Sequence, residues 1–187
     1  MKNRCFWVHN TPLYIEYHDK EWGIPIYNDE TLFEFLILET FQAGLSWITI
    51  LKKRENFRKA FDNFDYEKIA KYQESKYESL LQDDGIIRNK LKIRSAIVNA
   101  QLFMEIQKEH GSFSSFIWSY AEGKPIVNQF HKREDVPSRT MLSDRISKDL
   151  KKLGFKFVGS TIIYAFMQAV GMVNDHLTNC PQWHECS

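Results

Sequence analysis

The sequence predicts an all-α protein, and three observations support this class. Apolar residues recur at helical spacing in the longest periodic stretch, at Ile93, Ile97, Ala100, Phe103 and Met104. Helix-start signals, in which Ser or Thr is followed three residues later by Glu, open apolar runs at Thr31 and Ser75. No region is rich in strand-forming patterns. The 187 residues are 43% hydrophobic, which is enough for one large packed domain.

The first half of the chain is expected to hold four helices. Thr31-Leu-Phe-Glu34 is a capping box, and the helix it opens is so apolar that it should be buried on all sides. A second helix begins near Ser46 and carries the basic stretch 52–58. Two short helices follow, at 66–71 and 75–81.

The second half is expected to hold four more helices and one long loop. The helices cover 87–108, 113–120, 143–153 and 160–171. Gly111-Ser112 ends the first of them, and Ser143-Asp144 caps the third. The loop covers 121–140, where glycine and prolines occur without sustained periodicity.

The last two predicted helices, with the turn Gly154-Phe-Lys-Phe-Val-Gly159 between them, resemble a helix-hairpin-helix over about 143–171. Gly159 permits either close backbone approach or a positive φ. Free amides at the start of the following helix carry partial positive charge and can hold a phosphate. The candidate DNA contacts here are Lys156, Gly159, Ser160 and Thr161. The alternative is an ordinary corner between two helices with a solvated lysine face.

Large aromatic rings are concentrated in the first quarter of the chain, and flat rings near a carboxylate suit a planar, cationic ligand. Glu39 is the candidate carboxylate, because a charge at the end of so apolar a helix is costly without a partner or a function. Alternatively, Glu39 is a solvated helix-end residue and the rings belong to the core. The turn Gln42-Ala-Gly-Leu-Ser-Trp47 separates Glu39 from Trp47, and Leu45 at its tip is either core or a wedge between base pairs.

Four residues with zinc chemistry lie near the two ends of the chain: Cys5, His18, His176 and Cys180. A Cys2His2 set fills tetrahedral Zn²⁺ without an open position, so such a site is structural. The alternatives are a buried thiol with two unrelated histidines, or Cys186 in place of Cys180.

Bulk properties narrow the class of protein further. A net charge of +1 gives no overall basic signature, although a local basic patch stays compatible with it. Three cysteines cannot form a fully paired disulfide framework, and neither a signal sequence nor a long apolar run occurs. We therefore expect an intracellular, cytoplasmic protein without a membrane partner.

Motifs over nearly the whole chain, in order, carry a family resemblance. They are Arg4-Cys5, Pro12-Leu-Tyr14, Tyr17-His-Asp-Lys-Glu-Trp-Gly23, Gln42-Ala-Gly-Leu-Ser-Trp-Ile48, Leu51-Lys-Lys-Arg-Glu55, Gly85-Ile-Ile-Arg88, Gly154-Phe-Lys-Phe-Val-Gly159 and Asn174-Asp-His176. In these motifs the sequence resembles the DNA-3-methyladenine glycosylase I family. It departs from the family at Thr40-Phe41, at Phe6 and after Cys180, which affects pocket shape or DNA contacts rather than the reaction class.

The resemblance implies a helix-hairpin-helix glycosylase with one catalytic domain over 1–187 and a structural Zn²⁺ held by the Cys2His2 set. It also implies a monomeric, monofunctional hydrolase that flips an alkylated nucleotide out of double-stranded DNA and releases free 3-methyladenine. Glu39 would read the base, with a further role as general base left open, inside a pocket formed by Trp7, Tyr14, Tyr17, Trp22 and Trp47. Asp175, beside a metal ligand, is expected to be structural.

Three other interpretations stay open from the sequence. One is a zinc-stapled DNA-binding module without catalysis, which would not need Glu39 among aromatic rings. Another is an enzyme or binder for small cationic heterocycles that uses the same pocket. The third is a different range of alkylated bases.

Overall fold

The computed structural model describes residues 3–8 and 11–186, and within these ranges ten α-helices make up most of the protein. They are α1 (Pro12–Lys20), α2 (Asp29–Gln42), α3 (Trp47–Ala60), α4 (Tyr66–Ile69), α5 (Glu74–Gln82), α6 (Lys90–His110), α7 (Phe113–Ser119), α8 (Met141–Leu153), α9 (Ser160–Ala169) and α10 (Pro181–Glu185). Single helical turns at Asp62–Phe64 and Arg133–Asp135 and two strands, β1 (Ile126–Val127) and β2 (Val173–Asn174), complete this part of the chain. The predicted all-α class is confirmed, with one minimal sheet added.

Helix α2 is the centre of the fold, as its apolar composition predicts. Every residue from 32 to 41 is buried, and the helix packs against α3, α6, α7 and α9. It begins earlier than the capping box at Thr31 predicts, because the Asn28 side chain accepts a hydrogen bond from the Thr31 amide at 2.9 Å and is the N-cap. Glu39 is therefore carried on the part of α2, residues 32–41, in which every side chain is buried.

Helices α8 and α9 form the predicted hairpin. Thr140 caps α8 through reciprocal hydrogen bonds with Ser143, and Gly154 ends it at φ +104°. Gly159 caps α9 with φ −61°, so the positive φ considered for Gly159 is wrong. The left-handed residues of the turn are instead Gly154 and Phe157, the latter at φ +56°.

The long loop at 121–140 contains the two-residue strand β1, which pairs in parallel with β2. Ile126 lies opposite Val173 and Val127 opposite Asn174, and an isolated bridge joins Phe130 to Leu177. Strands this short have no periodicity to read, so the sequence predicted only a loop. The pairing holds the loop against the segment that carries Asp175 and His176.

No helix in residues 3–8 and 11–186 combines the length and the apolar character needed to cross a bilayer.

Candidate active site and metal centre

A cavity of about 310 Å³ lies between α1, α2, α9, the start of α3 and the loop at 121–140. This volume is at the lower end of the range typical of small-molecule sites. The cavity is lined by Phe6, Trp7, Tyr14, Tyr17, Trp22, Glu39, Gln42, Trp47, Val136, Pro137, Ala165, Gln168 and Asp175. All six residues expected at the base pocket, the five rings and Glu39, are among them.

The aromatic rings of the cavity support one another at their edges. The Trp7 ring contacts Tyr14 at 5.5 Å and Trp22 at 5.0 Å between centroids, both edge to face. Tyr17 and Trp47 are 5.4 Å apart, with their planes tilted by 47°. Each of these rings therefore packs against a neighbouring ring in the cavity wall.

Glu39 is the acidic group in the wall contributed by α2. Its side chain is only 4% exposed, and no group in the described part of the chain forms a hydrogen bond with its carboxyl oxygens. Burial disfavours the ionised form and raises the pKa of Glu39 to about 8. The alternative of a solvated helix-end residue is wrong, because Glu39 is itself buried along with every other residue from 32 to 41 of α2.

Asp175 is a second carboxylate in the cavity wall that sequence reasoning did not place there. Its oxygens accept hydrogen bonds from Asn128 Nδ2 at 2.7 Å, the Tyr164 hydroxyl at 2.6 Å and Gln168 Nε2 at 2.8 Å. The spacing of Tyr164 and Gln168, one turn apart on α9, was the only signal available. Val136 and Pro137 gave none, because they reach the cavity through the loop.

The four predicted metal ligands come together at one buried point, in agreement with the expected Cys2His2 set. Their ligand atoms all lie within 4.8 Å of one another. Cys5 Sγ is 3.5 Å from His176 Nδ1, and Cys180 Sγ is 3.5 Å from His18 Nε2. Tetrahedral zinc–sulfur and zinc–nitrogen bonds separate neighbouring ligands by about 3.4–3.8 Å, so the spacing fits such an ion. Cys186 is buried outside this group.

The surroundings of the cluster orient both imidazoles for metal binding. His18 Nδ1 donates to Asp19 Oδ1 at 2.7 Å, and Arg4 holds the same carboxylate at 2.7 Å and lowers the pKa of Asp19 to about 2. His176 Nε2 donates to the backbone carbonyl of Trp22 at 3.0 Å. Each histidine thereby turns its unprotonated nitrogen toward the cysteines, as metal ligands require.

The residues expected to contact DNA are at the surface of two separate segments. Leu45 is 38% exposed at the tip of the turn between α2 and α3, next to Gly44 at φ +80°. Lys156 and Thr161 are exposed, and no atom lies within 4 Å of the position that a Cβ on Gly159 would occupy. Ser160 is only partly free, because its hydroxyl lies 2.8 Å from that of Ser143.

Three of the four cations in the basic stretch 52–58 are engaged within the protein, and Lys52 is exposed. Arg54 is buried, with Nε 2.6 Å from Glu34 Oε1 and Nη1 2.6 Å from Glu21 Oε2. Arg58 reaches the same Glu34 at 2.8 Å, and Lys53 donates to backbone carbonyls of residues 84 and 85. Arg54 and Arg58 stabilise the packing of α3 on α2, and Lys53 joins α3 to the loop after α5, so these three cations are engaged within the protein.

The sequence matches a family model described as methyladenine glycosylase over residues 7–184. This chain belongs to that family. Among methyladenine glycosylases, it is 51% identical over 177 residues to DNA-3-methyladenine glycosylase 1 of Escherichia coli, with 95% of each chain covered. It is 48% identical over 181 residues to DNA-3-methyladenine glycosylase of Haemophilus influenzae, covering 97% of this chain and 98% of the relative.

The fold agrees with a solved methyladenine glycosylase from Staphylococcus aureus. That structure, of 3-methyladenine DNA glycosylase I, describes the basis of 3-methyladenine recognition. It superimposes with a TM-score of 0.93 at 38% identity and covers 96% of both chains.

Proposed function

We propose that this chain is a DNA-3-methyladenine glycosylase, which hydrolyses the N-glycosidic bond of alkylated double-stranded DNA and releases free 3-methyladenine. The observation that carries the proposal is the unpaired, buried Glu39 carboxyl inside a cavity walled by Trp and Tyr rings. A nucleotide inside a duplex cannot reach such a cavity, so the damaged base must be flipped out of the stack.

Glu39 supplies the selectivity for a damaged base. Adenine methylated at N3 is a cation in DNA, and a cation next to the buried carboxyl restores its ionised form through a direct ion pair. Undamaged adenine is neutral and would leave the carboxyl desolvated without compensation. The indole and phenol rings stack on the flat base and favour a positively charged one.

The chemistry requires little acid catalysis, because methylation has already made the base a good leaving group. The bond from the base nitrogen to the sugar C1′ breaks with its electron pair going to the base, which departs neutral. Water forms the new bond to C1′ and loses a proton. The described residues that line the cavity include no amine that could act as a covalent nucleophile, which favours a monofunctional enzyme without strand cleavage.

Two surface segments are proposed to engage the duplex. Leu45 fills the space left by the flipped nucleotide, and the start of α9 binds a backbone phosphate with its free amides. The residues proposed to contact DNA at and just before the start of α9 are Lys156, Gly159, Ser160 and Thr161. With a net charge of +1, the salt dependence of duplex binding is expected to be shallow.

The Cys2His2 cluster is proposed to hold one structural Zn²⁺. Four protein ligands leave no open position, so the ion would stabilise the fold and take no part in hydrolysis. Cys5 and His18 would hold it from the N-terminal segment, and His176 and Cys180 from the C-terminal segment. We further propose that residues 1–187 act as one catalytic domain, with the helix-hairpin-helix at about 143–171, and that the enzyme is a cytoplasmic monomer.

The test is chromatography of the bases released from methylated duplex DNA by the purified protein and by Glu39→Gln. We expect the wild type to release 3-methyladenine and the variant to lose about 100-fold or more in rate, with zinc content unchanged. Glu30→Gln is the matched control, because Glu30 is exposed on the same helix. It should release the base at the wild-type rate.

The outcomes separate the reaction from the role of the residue. A well-folded wild type that releases no base would reject glycosylase activity and leave a DNA-binding module. Release at equal rates by wild type and Glu39→Gln would reject only the assignment of Glu39. Trp47→Ala tests stacking directly, since it should weaken the quenching of protein fluorescence by free 3-methyladenine.

A further inference from the structure

Helix α6 carries two buried polar side chains that reach out of the helix to the two segments proposed to contact DNA. Lys92 and Asn99 are 6% and 0% exposed, respectively. They are seven residues apart, which is about two helical turns, so they project from nearly the same face of α6. No residue of α6 lines the base cavity. Their contacts therefore concern something other than recognition of the base.

Lys92 fixes the turn that carries Leu45. Its ammonium group donates to the backbone carbonyls of Phe41 at 2.9 Å and Ala43 at 2.6 Å, at the C-terminal end of α2. Burial lowers the pKa of Lys92, and no carboxylate in the described residues pairs with it. Gln42 completes the turn from the other side, since its Nε2 donates to the Leu45 carbonyl at 2.8 Å. Because burying a cation is costly, the hydrogen bonds from Lys92 to these two carbonyls indicate that the protein requires this conformation of the turn.

Asn99 fixes the hairpin between α8 and α9. Its side-chain amide donates to the Lys156 carbonyl at 3.0 Å and accepts from the Lys156 amide at 2.9 Å, the pair of bonds that a neighbouring strand would make. Ser147 holds the same turn two residues after Lys156, because its hydroxyl donates to the Val158 carbonyl at 2.6 Å. Phe157 lies between these anchors at φ +56°, a conformation that persists only where its surroundings enforce it.

We propose that Lys92 and Asn99 are positioning residues that set, through the rigid helix α6, the separation between the Leu45 turn and the 154–159 hairpin. The inference rests on the proposed function, in which the turn enters the duplex and the hairpin holds a phosphate. A flipped nucleotide reaches the cavity only if both contacts are made at once, so their spacing determines productive binding. Helix α6 sets that spacing without contacting the base.

The experiment compares duplex binding with free-base binding in Asn99→Ala, Lys92→Met and Lys92→Arg. The duplex probe contains a tetrahydrofuran abasic-site analogue, and the base probe is 3-methyladenine. We expect Asn99→Ala and Lys92→Met to weaken duplex binding and raise KM for excision by about tenfold each, while base affinity stays within about twofold. Lys92→Arg keeps a donor and should restore duplex affinity. Asn99→Ala should also flatten the salt dependence by about one phosphate contact.

The matched control is Gln101→Ala. Gln101 also lies on α6 and donates from its side chain to a backbone carbonyl, that of Ala70 at 2.9 Å, but it reaches neither DNA-contacting segment. Its loss should leave duplex affinity unchanged. If Asn99→Ala fails to fold, Asn99→Asp replaces it, because the remaining oxygen still accepts from Lys156 while the donor is lost.

Two results would overturn the inference. One is wild-type duplex affinity in Asn99→Ala, or in Asn99→Asp where that replaces it, and in Lys92→Met. The other is a parallel fall in duplex and free-base affinity, which indicates general destabilisation rather than altered spacing. Excision by the wild type is measured alongside. If it is absent, the proposed function fails, whereas wild-type excision with unaffected variants rejects the positioning role alone.

Discussion

Trp22 and His176 meet edge to face, with ring centroids 4.6 Å apart and planes at 83°. The backbone carbonyl of Trp22 also accepts a hydrogen bond from His176 Nε2. Trp22 lines the base cavity and His176 belongs to the metal cluster, so these two parts of the molecule share a wall. A disturbance at the cluster is therefore transmitted directly to an aromatic surface of the cavity.

Metal loss should impair both stability and base binding. Cys180→Ala is expected to abolish zinc binding, to lower Tm by about 10 °C or more, and to weaken the binding of 3-methyladenine. The measurements are metal content, thermal unfolding and fluorescence quenching. Cys186→Ala is the control and should keep one zinc per chain. Equal zinc loss in the two variants would contradict the ligand set.

The buried carboxyl of Glu39 should make stability depend on pH in a defined direction. Its pKa of about 8 when folded exceeds the ordinary value of 4.5, so the unfolded chain binds fewer protons between these values. Wild-type stability therefore falls as pH rises through this window and levels off above about pH 8. Glu39→Gln lacks the titration and should gain about 3 kcal/mol relative to wild type between pH 6 and pH 9, measured by urea unfolding. A pH-independent difference would contradict burial of the carboxyl.

Leu45 should matter for duplex DNA and not for the free base. Leu45→Ala removes the apolar group that would replace the flipped nucleotide, and we expect excision to slow by about tenfold. Binding of 3-methyladenine should be unchanged. Leu13→Ala is the control, because Leu13 has the same 38% exposure but lies outside the turn. An equal loss in both variants would argue against a wedge.

Gly159 should separate DNA affinity from stability. Its φ of −61° suits any residue and the space around its Cβ position is open, but Gly159 is the N-cap of α9, where Gly is preferred over Ala, so Gly159→Ala is expected to change stability by no more than about 0.5 kcal/mol. The added methyl group stands where a phosphate would approach, and duplex affinity should fall by about tenfold. Thermal unfolding and binding to an abasic-site duplex measure the two effects. Retained affinity would place the phosphate elsewhere.

Eight of the ten helices in the described residues, the metal ligands and the aromatic residues of the cavity could be predicted from the sequence, because each leaves a local or compositional trace; α1 and α10 were missed. α3 begins after Ser46 as predicted, although the Ser46 side chain makes no capping hydrogen bond, and Gly154 ends α8 as the capping rules predict. Prediction from the sequence failed where two residues compete for one structural role, or where residues distant in sequence decide which contact a side chain makes. Asn28 precedes Thr31 and is the N-cap of α2 in place of Thr31. Whether Arg54 faces solvent or Glu34 is decided by how α3 packs on α2.

Asp175 illustrates the limit at the candidate site. Its neighbour His176 made a purely structural role the natural interpretation, yet its carboxylate also lines the cavity. That position depends on β1 pairing with β2 and on donors from Asn128 and Tyr164, which lie far from one another in sequence. Strands of only two residues, such as β1 and β2, have no periodic pattern in the sequence, so no local pattern predicts their pairing.

The metal cluster also constrains the order of events during synthesis. Two of its side chains, His176 and Cys180, leave the ribosome long after Cys5 and His18. Until they emerge, Trp22 lacks the His176 imidazole that packs against it. Cys5 and His18 then also lack their partners from the C-terminal segment. A nascent polypeptide can therefore neither complete the Cys/His cluster nor finish this wall of the cavity before translation has passed Cys180.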